Sequence, residues 1–256
     1  MVAYFEEIVN HVKRAIFNMT GKIEGQITKF YLISANILLA VFAIWLSNVG
    51  SLPFVKTGDF AFFVLLALIM AIYRPGWVFV FFIGTIALEN INLAPKSLGL
   101  MVRPYQLLGL LTILGISAQF LFKRLPFALP KLHWYDCAPI VFAFAGFLSA
   151  VGSSDKGLSF KQSVVALSFV ALYFLVRVYI QSLDDLKRVA PFFLGSSILI
   201  VGYGIWQNIQ FLHGKNSFEV MLGRPNGTFM EADWLGMYLV FLLAIVFAII
   251  YKLRNK

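Results

Sequence analysis

The chain alternates between long apolar runs and short polar joints. A helix of about 20 apolar residues is long enough to cross the hydrocarbon core of a bilayer, which is about 30 Å thick. The pattern therefore predicts an all-α, polytopic membrane helical bundle with about eight transmembrane helices. The predicted spans lie near residues 30–46, 60–73, 77–93, 104–122, 137–152, 162–180, 190–212 and 234–251.

Two of these runs, 60–73 and 77–93, are short for a membrane crossing. Arg74-Pro75-Gly76 joins them, and this tripeptide predicts a tight turn. The pair is either two crossings or a re-entrant segment that enters the bilayer and returns. Both arrangements leave all later segments on the same side of the membrane.

Residues 1–29 predict an amphipathic helix that lies on the cytoplasmic membrane surface, ahead of a multi-pass domain over 30–256. The alternative for this segment is a poorly ordered tail. The helix prediction rests on apolar residues at helical spacing, with charged residues elsewhere around the helix. These apolar residues are Phe5, Ile8, Val9, Val12 and Ile16.

The composition agrees with a membrane protein, since 60% of the residues are hydrophobic and 13% are charged. Soluble domains carry about 25% charged residues. The net charge of +9 does not indicate nucleic acid, because Lys and Arg lie at helix ends, where they meet anionic lipid headgroups. The single cysteine, Cys137, excludes an intramolecular disulfide and a metal site built from several cysteines.

The basic residues also predict the orientation of the chain. If the N-terminus is cytoplasmic, the cytoplasmic segments hold two thirds of the 21 Lys and Arg residues. Cytoplasmic loops are enriched in Lys and Arg. We therefore expect both termini in the cytoplasm and the joint between the last two spans on the outer side.

That joint, from Arg224 to Leu239, is the strongest candidate for chemistry. Pro225 and Asn226-Gly227 predict a turn that holds Arg224 at the mouth of the bundle, and Asp233 is placed to cap the last helix. A planar guanidinium suits two-point binding of a diphosphate or a carboxylate. The alternative is that Arg224 only meets lipid phosphate at the membrane boundary.

The same joint resembles the signature of the O-antigen ligase / O-antigen polymerase superfamily of bacterial membrane glycosyltransferases. In that family an Arg precedes a Gly-Thr-Phe element, which is followed by a polar pair and the start of a helix. The family commonly has Pro-Asn where this chain has Ala232-Asp233. The matching residues are Arg224, Gly227, Thr228, Phe229, Leu235, Gly236, Tyr238 and Leu239.

The resemblance implies glycan transfer at the outer face of the bacterial cytoplasmic membrane, with no metal ion and no cofactor. The donor would be an undecaprenyl-diphosphate-linked glycan, and the acceptor a lipid, another glycan or a protein. Arg224 would be catalytic, binding the donor diphosphate and stabilising its charge as it leaves. The family fold continues with a larger outer loop carrying another Arg and a catalytic His, so we expect this chain to represent the N-terminal part of that fold.

Three further residues are candidates for substrate binding. Arg103 begins the fourth predicted span on the outer side and is a candidate second phosphate contact. Gln207, within the seventh span, either lines a cavity or forms an interhelical hydrogen bond. His213, near the end of that span, either approaches Arg224 or is an interfacial polar residue.

Two other polar groups have competing interpretations. Glu89, Asn90 and Asn92 end the third predicted span, where they either bind sugar hydroxyls or solvate a helix end. Arg177, near the inner end of the sixth span, is expected to extend to the lipid headgroups.

Two other functions remain open from the sequence. A transporter or flippase for a lipid-linked sugar would need charged residues near the middle of the membrane, and most charges here are terminal. A non-catalytic subunit that assembles envelope enzymes would not depend on Arg224.

Overall fold

The structure is a computed structural model that describes residues 26–49, 53–99, 101–125, 127 and 129–254. Within these residues the regular elements are all helical, which confirms the all-α part of the prediction. Short 3-10 turns lie at Lys96–Leu98 and Trp134–Asp136. The α-helices are α1 Gln26–Val49, α2 Thr57–Tyr73, α3 Pro75–Thr85, α4 Pro104–Leu121, α5 Cys137–Val151, α6 Lys156–Tyr179, α7 Leu183–Leu212 and α8 Ala232–Arg254.

Six segments of the described chain are long and apolar enough to cross a membrane. The helices α2 and α3, with 17 and 11 residues, are shorter. The amphipathic helix was predicted over residues 1–29. Residues 1–25 lie outside the described residues, and residues 26–29 belong to α1. The six segments are Thr28–Leu46, Pro104–Leu121, Trp134–Val151, Lys156–Tyr179, Leu183–Leu212 and Ala232–Lys252.

The outer faces of these helices are apolar. Phe142 and Leu148 on α5 are 73% and 75% exposed, and Phe241 on α8 is 60% exposed. Exposed apolar area on this scale would be unfavourable in water. An apolar surface is expected where a helix faces lipid. A helix can cross the lipid because it satisfies its backbone hydrogen bonds internally. The molecule is therefore a multi-pass helical membrane protein.

The predicted tight turn between the two short runs is present. Arg74 ends α2 and precedes α3, and its backbone N–H donates to the carbonyl of Met70 at 2.7 Å. Pro75 is the first residue of α3, a position where a helix needs no N–H donor.

The third predicted span, 77–93, is wrong in its second half, because α3 ends at Thr85. The N–H groups of Glu89 and Asn90 donate to the carbonyl of Thr228 at 3.1 and 2.8 Å instead of continuing the helix. Oδ1 of Asn92 accepts from the N–H groups of Ala94 and Val102 at 3.1 and 2.9 Å. These polar side chains and long-range backbone bonds replace the helical ladder from residue 86 onward.

The chain divides into two compact units. The first, which we call the hairpin unit, comprises the described part of Gln119–Arg188. Its helices α5 and α6 form an antiparallel pair, since Asp136 at the start of α5 contacts Arg177 at the end of α6. Asp136 is completely buried and accepts a hydrogen bond from the Tyr173 hydroxyl at 2.7 Å. Arg177 is thus an ion-pair partner, which the sequence analysis did not foresee.

The second unit, the motif unit, comprises the described parts of Ile23–Ala118 and Val189–Lys256. Small residues allow its helices to approach closely. A Cβ added at Gly84 on α3 would lie 1.9 Å from the Asn36 amide on α1. A Cβ added at Gly115 on α4 would lie 2.3 Å from the carbonyl oxygen of Ala71 on α2. The motif unit contains every residue of the Arg224–Leu239 signature.

Candidate functional site

Arg224 lies in the connection between α7 and α8, at the end of a tight turn over residues 221–224. Gly223 has a φ of +76°, which favours glycine, and the Arg224 N–H donates to the Met221 carbonyl at 3.1 Å. The Arg224 side chain is 51% exposed. Its Nη2 donates to Oδ1 of Asp233 at 2.5 Å, and its Nη1 contacts Sδ of Met221 at 3.6 Å. A guanidinium has five N–H donors, so these two contacts leave it able to bind an anion.

The sequence predicted that Asp233 caps the last helix, and this prediction is wrong. The helix α8 begins at Ala232, so Asp233 lies inside its first turn. Its carboxyl pairs with Arg224 instead. The exposed carboxyl, 72% accessible, therefore holds the guanidinium on the surface of the motif unit.

The turn after Arg224 is buried and fully organised. Asn226 is 2% exposed, and its Nδ2 donates to the Phe229 carbonyl at 2.6 Å while the Phe229 N–H donates to the Asn226 carbonyl at 3.0 Å. Gly227 has a φ of +56°, a backbone conformation that L side chains rarely adopt. The Asn226-Gly227 dipeptide thus forms the turn that the sequence predicted.

Gln207 of α7 holds this turn. Its side chain is 1% exposed, and its Oε1 accepts from the Gly227 N–H at 2.7 Å. Its Nε2 donates to Oδ1 of Asn226 and to the Phe218 carbonyl, both at 3.4 Å. Both the oxygen and the nitrogen of the amide bond to protein groups, so Gln207 positions the turn. The sequence also allowed Gln207 to line a cavity and bind substrate.

Thr228 connects the turn to the segment after α3. Its hydroxyl donates to the carbonyl of Ala87, and its own carbonyl accepts from the N–H groups of Glu89 and Asn90. This link joins residues 141 positions apart. It brings the acidic and amide groups of residues 89–92 next to the Gly-Thr-Phe element.

The side chain of Arg103 contacts two residues of this region, Glu89 and Met230. Its Nη1 forms an ion pair with Oε1 of Glu89 at 3.1 Å, and its Nη2 contacts Sδ of Met230 at 3.0 Å. Glu89 lies outside the six candidate spans and is 6% exposed. Burial raises the pKa of Glu89 above its ordinary value of 4.5, and Arg103 opposes that rise. Arg103 and Arg224 thus both contact the 221–233 segment.

The remaining signature residues pack the start of α8 against α7. Phe229 is buried and lies 5.2 Å from the Tyr238 ring, centroid to centroid. The Tyr238 hydroxyl shares a hydrogen bond of 2.6 Å with the hydroxyl of Ser197 on α7. Gly236 has no close neighbour, since an added Cβ would meet no atom within 4 Å. These contacts give Phe229 and Tyr238 a packing role.

His213 is exposed at the end of α7, and its Nδ1 bonds the Ile209 carbonyl of its own helix at 2.7 Å. Among the described residues, no hydrogen bond or ion pair joins His213 to Arg224.

A polar cavity of about 240 Å³ lies behind the Asn226–Thr228 turn, inside the motif unit. Two polar residues that line it, Asn48 and Glu219, were not among the candidates in the sequence. Asn48 accepts a hydrogen bond from the Tyr203 hydroxyl. Asn48 is far from the signature in sequence, and only the folded chain brings it to the turn. Glu219 lies just before Arg224 in the same connection, but no residue pattern marks it.

The described residues contain no group of three or more His, Cys, Asp or Glu side chains arranged to hold a metal ion. Comparison of the chain with protein-family models, with curated proteins and with solved structures gave no match.

Proposed function

We propose that the chain is a membrane glycosyltransferase of the O-antigen ligase / O-antigen polymerase type. It transfers a glycan from an undecaprenyl-diphosphate-linked donor to a lipid, glycan or protein acceptor. The observation that carries the proposal is the display of Arg224: a half-exposed guanidinium on a turn whose next residues, Asn226 to Thr228, are buried and hydrogen-bonded. An arginine held by a rigid turn is suited to bind an anion in a defined place.

The chemistry needs such a cation. The oxygen of the acceptor hydroxyl bonds to the anomeric carbon of the donor, the bond from that carbon to the diphosphate oxygen breaks, and the hydroxyl proton is released to water. The departing diphosphate gains negative charge, which Arg224 stabilises with paired N–H donors. Removing one preorganised donor of this kind costs about 10²–10³ in rate, or about 3–4 kcal/mol.

Arg103 supplies a second positive group beside the same segment, through its contact with Met230 at 3.0 Å. A diphosphate carries more than one negative charge, so two guanidinium groups suit it better than one. Glu89 pairs with Arg103 and partly neutralises its charge.

The proposal sets both termini in the cytoplasm and Arg224 on the outer face of the bacterial cytoplasmic membrane. The distribution of the 21 basic residues supports this orientation. Cysteine labelling of intact cells at position 215, in a chain with Cys137 replaced by Ser, tests it. A cytoplasmic position 215 would contradict the proposal.

The functional experiment compares three variants, Arg224→Ala, Arg224→Lys and Lys215→Ala, in membranes given a labelled undecaprenyl-diphosphate-linked glycan. We expect Arg224→Ala to lower the transfer rate by about 100-fold or more and Arg224→Lys to retain part of it. Lys215→Ala removes an exposed positive charge from the same connection and should leave the rate within about twofold, because a single exposed charge contributes little.

Equal transfer by the Arg224→Ala and Lys215→Ala variants, with equal membrane insertion, would contradict the proposal. Movement of the lipid-linked glycan across proteoliposomes without bond formation would favour a transporter. Normal glycan output together with a stable complex of envelope enzymes would favour an assembly subunit.

A further inference from the structure

The backbone of Arg103 is fixed at the start of α4. Its N–H donates to Oε1 of Gln106 at 3.3 Å, and its carbonyl accepts from the Leu107 N–H at 3.1 Å. An arginine side chain has many rotamers, and these backbone bonds do not select one of them. The direction of the guanidinium therefore depends on the groups that surround it.

Glu89 ties this guanidinium to the signature segment. Oε1 of Glu89 lies 3.1 Å from Nη1 of Arg103, and the Met230 N–H donates to the same carboxyl. The backbone of Glu89 is held as well, since its N–H donates to the Thr228 carbonyl at 3.1 Å. Glu89 is thus fixed to residues 228–230 by its backbone and by its side chain, and it transmits that order to Arg103.

Arg103 keeps donors that a ligand can use. Its side chain is 21% exposed, and its Nε forms no hydrogen bond to any residue that the structure describes. Its Nη2 contacts Sδ of Met230, and sulfur is a weak acceptor that a phosphate oxygen can replace. Nε and Nη2 lie on one edge of the guanidinium, and such an edge can bind two oxygens of a phosphate.

The two arginines contact one short stretch of chain. Arg103 contacts Met230, and Arg224 pairs with Asp233, three positions further along. Three residues span at most about 11 Å. A diphosphate has two phosphate groups, so it suits a site in which each guanidinium takes one of them.

The carboxyls that hold the two arginines differ in access. Asp233 is 72% exposed, so a diphosphate can take its place on Arg224. The side chain of Glu89 is 7% exposed, and the Met230 N–H holds its carboxyl in place. A general base has to reach the proton that it removes, and this burial does not suit that role. Glu89 is suited to act on the reaction through Arg103.

We propose that Glu89 is a positioning residue, which holds Arg103 in the orientation that binds the diphosphate together with Arg224. The inference rests on the proposed glycan transfer, and it assigns a role to a residue outside the Arg224–Leu239 signature. A misplacement of about 1 Å can cost about 100-fold in rate, because the transition state is sensitive to orientation. Glu89 therefore acts on the transfer step more than on binding.

The test measures kcat for glycan transfer and the affinity for undecaprenyl diphosphate, with the full chain in lipid nanodiscs. Glu89→Gln keeps the size of the side chain and removes the charge that pairs with Arg103. We expect kcat to fall about tenfold, while the affinity changes by less than about threefold, because loss of a nearby negative charge offsets the looser guanidinium. Glu231→Gln is the control. It removes an equal charge from an exposed position next to Met230 and should leave both quantities within about twofold.

A double-mutant cycle separates positioning from a purely structural role. If Glu89 acts through Arg103, Glu89→Gln should change kcat by less than about twofold in a chain that already carries Arg103→Gln. Without its cation the buried Glu89 favours the neutral form, which Gln resembles. A structural role would lower kcat by the same factor in both backgrounds.

Glu89→Asp is the second variant, in case the Gln variant does not insert into the membrane. It keeps the charge but shortens the side chain by one methylene, which moves the carboxyl away from Nη1 of Arg103. Its kcat should also fall, and the fall should again disappear beside Arg103→Gln.

Three results would overturn the positioning role and leave the transferase proposal standing. They are equal kcat values for Glu89→Gln and Glu231→Gln, a parallel loss of kcat and affinity in Glu89→Gln, and an effect of Glu89→Gln that persists beside Arg103→Gln. Wild-type transfer by the Arg224→Ala variant would overturn both proposals, because the diphosphate would then not depend on Arg224.

Discussion

Each of the two compact units contains an Arg–Asp pair, and the two pairs differ in burial and in the hydrogen bonds that they form. In the hairpin unit, Asp136 is completely buried, and it accepts hydrogen bonds from the His133 N–H at 2.6 Å and from Tyr173 while it pairs with Arg177. In the motif unit, Asp233 and Arg224 are 72% and 51% exposed and hold each other through one hydrogen bond. The carboxyl of the first pair is inaccessible to a ligand, whereas both members of the second pair are accessible.

This difference shows how to judge a charged residue in a membrane protein. Intramembrane charges are costly and are a default hypothesis for function. Asp136 is completely buried, and the groups that pair with it belong to the hairpin unit, which is the arrangement of a structural ion pair. The candidate for chemistry is the exposed arginine, because only an accessible guanidinium with uncommitted donors can bind a diphosphate.

The largest effect should follow from Asp136→Ala. This change leaves Arg177 without its carboxyl partner in a site where it is 20% exposed, and it should destabilise the chain by about 3–5 kcal/mol. The measurement is unfolding in mixed detergent micelles. The control is Asp184→Ala, which breaks the exposed Asp184–Lys187 pair of the same unit and should cost about 0–1 kcal/mol. Equal costs for the two variants would remove the contrast between closed and open pairs.

Gln207→Leu should give the next largest effect. It leaves the N–H of Gly227 buried without its acceptor, at a cost of about 1–3 kcal/mol in unfolding free energy. Because the turn also positions Arg224, glycan transfer should fall as well, although Arg224 itself is unchanged. Asn208→Leu, at the next position of the same helix but exposed, serves as the control. Full activity of Gln207→Leu would mean that the buried turn does not position the arginine.

Asp233→Asn removes the exposed ion pair with Arg224 and so tests how this pair differs from the buried pair of Asp136 and Arg177. The pair is accessible, so the unfolding free energy should change by less than about 1 kcal/mol. Without the competing carboxylate, the affinity for undecaprenyl diphosphate in nanodiscs should rise about two- to fivefold at low salt, and the gain should shrink at high salt. Weaker binding by the Asn variant would show that Asp233 orients Arg224 for the ligand.

In exposure, the Glu89–Arg103 pair lies between the Asp136–Arg177 pair and the Asp233–Arg224 pair. The pH dependence of the unfolding free energy tests it, and we expect this effect to be the smallest. Burial raises the pKa of Glu89 in the folded protein, so the folded state takes up this proton more readily than the unfolded state. Its contribution to stability is complete below the ordinary pKa of 4.5 and is lost as pH rises through the raised value.

Glu89→Gln keeps an uncharged group at this position, so the variant should gain stability relative to wild type as pH rises above 4.5. Below that pH, the difference between the two proteins should be constant. The measurement is the unfolding free energy of both proteins across the acidic to neutral range. The opposite slope would mean that Arg103 outweighs burial in the folded site.

Hydrophobic length predicted most helices well. The helix α4 begins at Pro104 and α5 at Cys137, as the apolar runs indicate, and the Arg74-Pro75 turn separates α2 from α3. These features depend on local chemistry, since apolar length and proline act within a few residues. The extent of the third span could not be predicted in this way, because its helix stops where the backbone of Glu89 and Asn90 bonds to Thr228.

The roles of individual polar residues were harder to predict. Asn226-Gly227 is a local turn signal, and the turn is present. Asp233 was expected to cap α8 because of its position, yet its carboxyl pairs with Arg224 across the turn. For Gln207 the sequence left two possibilities, and its bonds to Asn226 and Gly227 are visible only in the folded chain.

The sequence alone determined that this is an all-helical, multi-pass membrane protein and that a turn follows Arg224. Both follow from short-range physics: the length of apolar runs needed to cross a bilayer, and the backbone preferences of glycine, proline and asparagine. The tertiary structure decided which charges are closed and which are open. It paired Asp136 with Arg177 and joined Thr228 to the segment after α3. Such contacts depend on how distant segments pack, because hydrogen bonds and ion pairs form between whichever polar groups the packed helices bring together.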